Sequence, residues 1–176
     1  MSCDDGNDVP WDGCTNGMVS GAEASDPDGE GEDASVAGLP DGRFVVAYRE
    51  LEQLPKTGTV WVRPYGPDGQ PLWGTATKVA SGDVFLTTSP PRVAMFADGG
   101  FVVVWGEDTG PDWQVRYRVF DASGQAEGPA QDAAPPADWT LRLEPAVTVI
   151  ADDEFVIAWS EKVEDTDWDI RHRVYA

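Results

Sequence analysis

One stretch of this chain occurs three times. Phe44-Val45-Val46-Ala47-Tyr48-Arg49-Glu50 returns as Phe101-Val102-Val103-Val104-Trp105-Gly106-Glu107 and again as Phe155-Val156-Ile157-Ala158-Trp159-Ser160-Glu161. A period of roughly 55 residues marks a repeat architecture, in which one unit cannot bury its apolar face alone and packs on its neighbour. The repeat constrains the fold far more than the function.

Each unit carries three readable strands. The first runs 35–39, 92–96 or 146–150, and the second is the repeated run itself. The third is Val60 to Tyr65, Val115 to Phe120 or Ile170 to Tyr175. Asp41-Gly42, Asp98-Gly99 and Asp152-Asp153 separate the first two strands and predict two-residue hairpin turns, since Asp and Gly tolerate positive φ. In the first two units Asp68-Gly69 and Ser123-Gly124 lead into a more polar segment, Leu72 to Ala80 and Ala126 to Ala133. Four antiparallel strands that grow more polar outward resemble a β-propeller blade. The WD, Kelch and Asp-box signatures are absent, so the resemblance is one of architecture.

The third unit stops after its third strand, whereas Asn16 to Ala24 carries two glycines at the spacing of the outer segment Ser123 to Gln131. The expected fold is therefore all-β, with antiparallel four-stranded blades. It is a three-repeat partial β-propeller in which an N-terminal outer strand, 16–25, completes the last blade. This resembles the ring closure of propeller proteins. The expected division is an acidic Cys-containing leader, 1–15, and a repeat domain, 16–176, with blades at about 34–81, 90–133 and 144–176. Three blades leave an open wedge, since closed propellers typically need four to eight. Exposed blade faces invite a head-to-tail homo-oligomer or further blades of a longer chain.

Twelve basic residues stand against 32 acidic ones, for a net charge of -20. Nucleic acid is excluded as a partner because phosphate binding needs a basic surface. No window is apolar for long enough to span a membrane, and no apolar stretch follows Met1. Self-repulsion at this charge opposes compactness unless ions screen it, which suggests a saline setting.

Residues 1–33 hold ten of the acidic residues and no Lys or Arg. Within them, Cys3-Asp4-Asp5-Gly6-Asn7 followed by Asp12-Gly13-Cys14 resembles the cysteine-rich repeat of secreted and surface proteins of myxobacteria. Trp11 replaces a Gly of that pattern, and the pattern's next Cys is missing. The resemblance implies an extracellular or cell-surface location. The residues themselves are compatible with a small Cys3–Cys14 disulfide, and two cysteines without a nearby His make half a zinc site. The run Asp26-Pro27-Asp28-Gly29-Glu30-Gly31-Glu32-Asp33 offers oxygen ligands of the kind Ca²⁺ takes but lacks EF-hand spacing, and reads first as a solvated linker. No cofactor is expected.

His172, the one histidine, occupies a strand slot that the other units fill with Val62 and Tyr117, and reads as structural rather than as a general base. Glu50, Glu107 and Glu161 recur, as do Arg63, Arg118 and Arg173. A hairpin centred near Gly110 puts Arg118 on the face of Val102 and Val104, opposite Glu107. Beside the Glu, in the loop before the third strand, stand Asp112-Trp113 and Asp167-Trp168. A Trp face flanked by carboxylates can stack on a sugar ring and accept its hydroxyls. Glu107, Asp112, Trp113, Glu161, Asp167 and Trp168 are therefore the expected ligand-binding residues. The expected function is an extracellular, non-catalytic binding or adhesion module for glycans or surface proteins. A purely structural self-assembling repeat is the alternative, and a glycoside-hydrolase-like enzyme, which needs only two placed carboxylates, comes third.

Overall fold

A computed structural model describes residue 24 and residues 31–53, 56–82, 89–108, 113–135, 141–162 and 167–176. The chain is all-β, with no helix among the described residues. The first repeat forms one antiparallel sheet in the order β1 (Gly31–Gly38), β2 (Phe44–Gln53), β3 (Lys56–Tyr65) and β4 (Thr77–Gly82). The second contains β5 (Arg92–Met95), β6 (Phe101–Asp108), β7 (Trp113–Phe120) and a two-residue β8 (Gln131–Asp132). The third contains β9 (Leu141–Ala151), β10 (Glu154–Lys162) and β11 (Trp168–Tyr175). One parallel pair, Trp113 with Leu141, joins β7 to β9. β1 lies against β5 and β5 against β9, so the first strands form the inner wall of the wedge.

Side chains alternate along each second strand, and both faces are used. Val45, Ala47, Val60 and Val62 of the first blade pack on Phe101, Val103 and Trp105 of the second. Val102, Val104, Val115 and Tyr117 on the opposite face of the second blade pack on Phe155, Ile157 and Trp159 of the third. Full burial of such a side chain contributes about 1.5–3 kcal/mol, so the two interblade layers hold the wedge together. Aromatic pairs reinforce them, with Phe101 stacked on Phe120 at 4.9 Å and Phe155 on Tyr175 at 4.9 Å.

Four loops share a three-residue form where two-residue turns were expected at the first two sites. The amides of Leu39, Gly66, Phe96 and Asp121 donate to the carbonyls of Arg43, Gln70, Gly100 and Gln125. Gly42, Gly69, Gly99 and Gly124 each close the loop at φ of 92, 72, 105 and 80°. This is a type I turn followed by a left-handed residue. The Asp before or within the loop caps it, as when the Oδ1 of Asp98 accepts from the Gly100 amide at 2.8 Å. Only the third repeat has the two-residue turn, Asp152-Asp153 between the paired Ala151 and Glu154.

The β6–β7 register also differs from expectation. Val103, not Val102, faces Arg118. A one-residue slip moves a strand's whole side-chain set to the other face, so Arg118 points toward the first blade, where its Nη1 donates to the Val79 carbonyl at 3.2 Å. Arg63 likewise donates to a backbone carbonyl, that of Ala24, at 3.4 Å. The acidic run ends in a strand, since Gly31 to Asp33 belong to β1. The leader, both cysteines and the expected strand 16–25 lie outside the described residues, apart from Ala24, which is not in a strand.

Candidate functional site

The inner wall carries two matching irregularities. In β1, Glu32 pairs with Arg49 and Ser35 with Ala47, so Asp33-Ala34 oppose Tyr48 alone. In β9, Leu143 pairs with Ser160 and Ala146 with Ala158, so Glu144-Pro145 oppose Trp159 alone. Tyr48 and Trp159 hold the same place in their repeats, which makes these the same β-bulge in two blades. Bulges re-aim side chains and are enriched beside active sites.

The first bulge residue is in the left-handed region in both, Asp33 at φ 53° and Glu144 at φ 54°. Among the described residues these are the two non-glycine positions with positive φ. Gly is the usual occupant of such a position, and a side chain there costs about 1–2 kcal/mol. In the second blade the corresponding residues are Pro90-Pro91, whose rings forbid the conformation. Backbone strain of this kind clusters at functional sites and persists where neighbours enforce it.

The neighbours can be named. Asp33 pairs with the Arg49 guanidinium, which also reaches Glu32 at 3.6 Å. The Glu144 amide, released from the ladder by the bulge, donates to the hydroxyl of Ser89 at 2.8 Å across the blade junction. Ser89 is itself buried. The Ser160 hydroxyl donates to Oε2 of Glu144 at 3.4 Å. Two residues upstream, buried Arg142 donates from Nε to Glu161 at 2.7 Å and from Nη1 to the side-chain Oε1 of Gln114 at 2.5 Å. A buried guanidinium is tolerable only with such partners. It ties the second blade to the third immediately below the Glu144 bulge.

The described members of the expected ligand-binding set, Glu107, Trp113, Glu161, Asp167 and Trp168, fall at the same end of the blades. Oε2 of Glu107 accepts from Arg116 Nη1 at 3.1 Å. Glu161 accepts from Arg142 and from the Trp159 indole at 3.3 Å, and Arg171 lies 3.5 Å from its other oxygen. Burial pushes its carboxyl up, but the hydrogen bonds from Arg142 and Trp159 and the charges of Arg142 and Arg171 outweigh it and hold the group below the usual carboxylate range. Both glutamates are thus committed to arginines. Trp113 and Trp168 begin the third strands rather than standing in loops. Trp113 is half-buried at the junction of second and third blades, and Trp168 is 51% exposed on the far face of the third. They therefore lie on successive interblade faces rather than side by side. Asp167 is exposed, and Asp112 lies outside the described residues.

Asp33 and Glu144 were absent from the expected set. A bulge is a property of pairing, and no single strand displays it. The available signal was an acidic residue two places before the start of the readable first strand, Asp33 before Ser35 and Glu144 before Ala146.

No protein-family model matches the chain, and a search of curated proteins finds no match. Solved structures do share its fold. One is the family-93 α-L-arabinofuranosidase of Fusarium graminearum in complex with arabinobiose, with TM-score 0.55 and 11% identity over 81% of this chain and 45% of that one. Another is an endo-arabinase from Bacteroides thetaiotaomicron, with TM-score 0.51 and 13% identity over 89% of this chain and 59% of that one. The chain therefore spans about half the length of these enzymes. The expectation of a non-catalytic adhesion module is corrected by this likeness: the scaffold that these repeats build is one that glycoside hydrolases use.

Proposed function

We propose that this chain is part of a carbohydrate-cleaving β-propeller and that Asp33 and Glu144 are its reactive carboxylates. The observation that carries the reading is the matched pair of bulges, each presenting an acidic residue at positive φ on the inner wall. Glycosidic cleavage needs one carboxyl group to protonate the leaving oxygen and a second, ionised one to activate water or attack the anomeric carbon. Asp33, beside the Arg49 guanidinium, fits the ionised role. Glu144 meets the hydroxyl of Ser160 and forms no ion pair among the described residues, which fits the proton donor. Glu107 and Glu161, neutralised by arginines, serve the scaffold.

The arabinose-directed names of both structural neighbours make arabinofuranosyl linkages the substrate class to test first. The assay is release of reducing sugar from arabinan and arabino-oligosaccharides. Glu144→Gln and Asp33→Asn should each lower the rate by about 10²–10⁴-fold, the usual share of a positioned acid or base, with circular dichroism unchanged. Wild-type activity that survives both substitutions would remove the assignment, as would a folded wild-type protein with no activity on any arabinan.

A further inference from the structure

Arg49, Gly106 and Ser160 hold one place in the three repeats. In the first and third blades the side chain there reaches the blade's own bulge acid, Arg49 pairing with Asp33 and the Ser160 hydroxyl donating to Glu144 at 3.4 Å. The second blade has no side chain at this place and no acid at its bulge position, which Pro90-Pro91 occupies. Ser89 fills the space instead. A Cβ built on Gly106 would stand 3.0 Å from the Ser89 Cβ and 3.2 Å from its hydroxyl oxygen, so a side chain at 106 would press Ser89 out of its present place.

Ser89 immediately precedes the bulge position, as Glu32 and Leu143 do in the other blades, where they pair with Arg49 and Ser160. Its hydroxyl serves a different blade. Buried at the junction, it accepts from the Glu144 amide at 2.8 Å, 55 residues along the chain. The second blade thus lacks an acidic bulge of its own and supports that of the third.

The two bulge acids are therefore fixed by opposite ends. Asp33 is held through its carboxylate, by the Arg49 guanidinium, and an adjacent cation favours the ionised form. Glu144 is held through its backbone, and its carboxyl meets a hydroxyl and forms no ion pair among the described residues. That arrangement leaves the carboxyl able to carry a proton. It also makes the place of the carboxyl depend on the amide, because a side chain at φ 54° relaxes toward negative φ once nothing holds the peptide, and the Cβ swings with it.

We propose that Ser89, seated in the space left by Gly106, is a positioning residue for Glu144, through which the second blade holds the third blade's proton donor in place. The inference rests on the reading of Glu144 as the acid of a glycosidase. A positioned acid matters where the leaving oxygen needs a proton, as a sugar oxygen does, and matters little for a nitrophenolate, which departs as the anion. The experiment is kcat/KM for cleavage of arabino-oligosaccharides and for release of nitrophenolate from their nitrophenyl glycosides. The ratio of the two does not depend on how much of the enzyme is folded. Ser89→Ala should lower the first about 100-fold, the usual loss when a reacting group is misplaced by about 1 Å, and leave the second nearly unchanged. Gly106→Ala, whose methyl displaces Ser89, should move the ratio in the same direction, and Ser89→Thr, which keeps the hydroxyl, should retain the wild-type ratio. Glu144→Gln, measured in parallel, separates the two readings. If it leaves oligosaccharide cleavage intact, Glu144 is not the acid and both readings fall. If it depresses the ratio while Ser89→Ala does not, or if Ser89→Ala lowers both rates alike, Glu144 remains the acid and Ser89 serves only the packing of the junction, which overturns the proposal.

Discussion

Tyr175 ends the last strand with its ring stacked on Phe155 and tilted over Tyr117 at 4.8 Å, and its hydroxyl donates to the Ala133 carbonyl. Burial first and the neighbouring Tyr117 second push its hydroxyl up to about 12. Tyr117 and Tyr65 are raised in the same direction, again by burial. A raised folded-state value means that the native protein holds the proton where the unfolded chain has released it. Stability from Tyr175 is therefore fully present below pH 10 and is lost as pH climbs from 10 toward about 12, and Tyr117 and Tyr65 act in the same direction. Tyrosinate absorbance should appear together with loss of far-ultraviolet ellipticity in that window, and Tyr175→Phe should shift the transition upward. Phenolate forming well before unfolding would contradict the burial of Tyr175. At the acid end Glu161 works in the opposite sense, its lowered value giving stability that is present at neutral pH and disappears as pH falls below 4.5.

Strand identity was legible because Phe, Val and Trp at the repeated positions advertise it, and the all-β architecture followed directly. The details that slipped were those that one residue decides. Asp-Gly marked the turns correctly, but Pro40 joins Asp41 and Gly42 in a three-residue loop, and the sequence does not distinguish that form from a two-residue one. The β6–β7 hairpin was off by one because Asp108 pairs with Trp113, which lengthens both strands and turns Arg118 to the other face. The Trp-carboxylate pattern was real in sequence, yet Glu107 and Glu161 answer to Arg116 and Arg142, partners visible only across strands. Two glycines separate these levels experimentally. Gly124 has φ 80°, and a Cβ there would run into the Trp73 ring that spans the first two blades. Gly124→Ala should cost more than the roughly 1–2 kcal/mol of left-handed strain alone, measured by urea denaturation. Gly74 has open space around its Cβ position, and Gly74→Ala should change stability by no more than about 1 kcal/mol. Equal effects at the two sites would mean that the Trp73 contact is not part of the blade junction.

At the scale of the whole molecule two electrostatic effects of opposite sign compete. The ion pairs at the inner end of the blades, such as Arg142 with Glu161, are partly buried and little weakened by salt. The exposed pairs, Arg43 with Asp41 and Arg171 with Asp169, are screened but contribute little to begin with. Against both stands the mutual repulsion of a chain with net charge -20, spread over a surface with few cations to interrupt it. Screening removes the repulsion while leaving the buried pairs nearly intact, so the balance favours folding as salt rises. Raising NaCl from about 0.01 M to about 1 M shortens the Debye length from about 30 Å to about 3 Å. The melting temperature should climb across that range. The comparison is made at fixed protein concentration, because any association between copies would itself raise the apparent stability. A flat or falling melting temperature would mean that the acidic surface is arranged without net self-repulsion, and the case for a saline setting would fall with it.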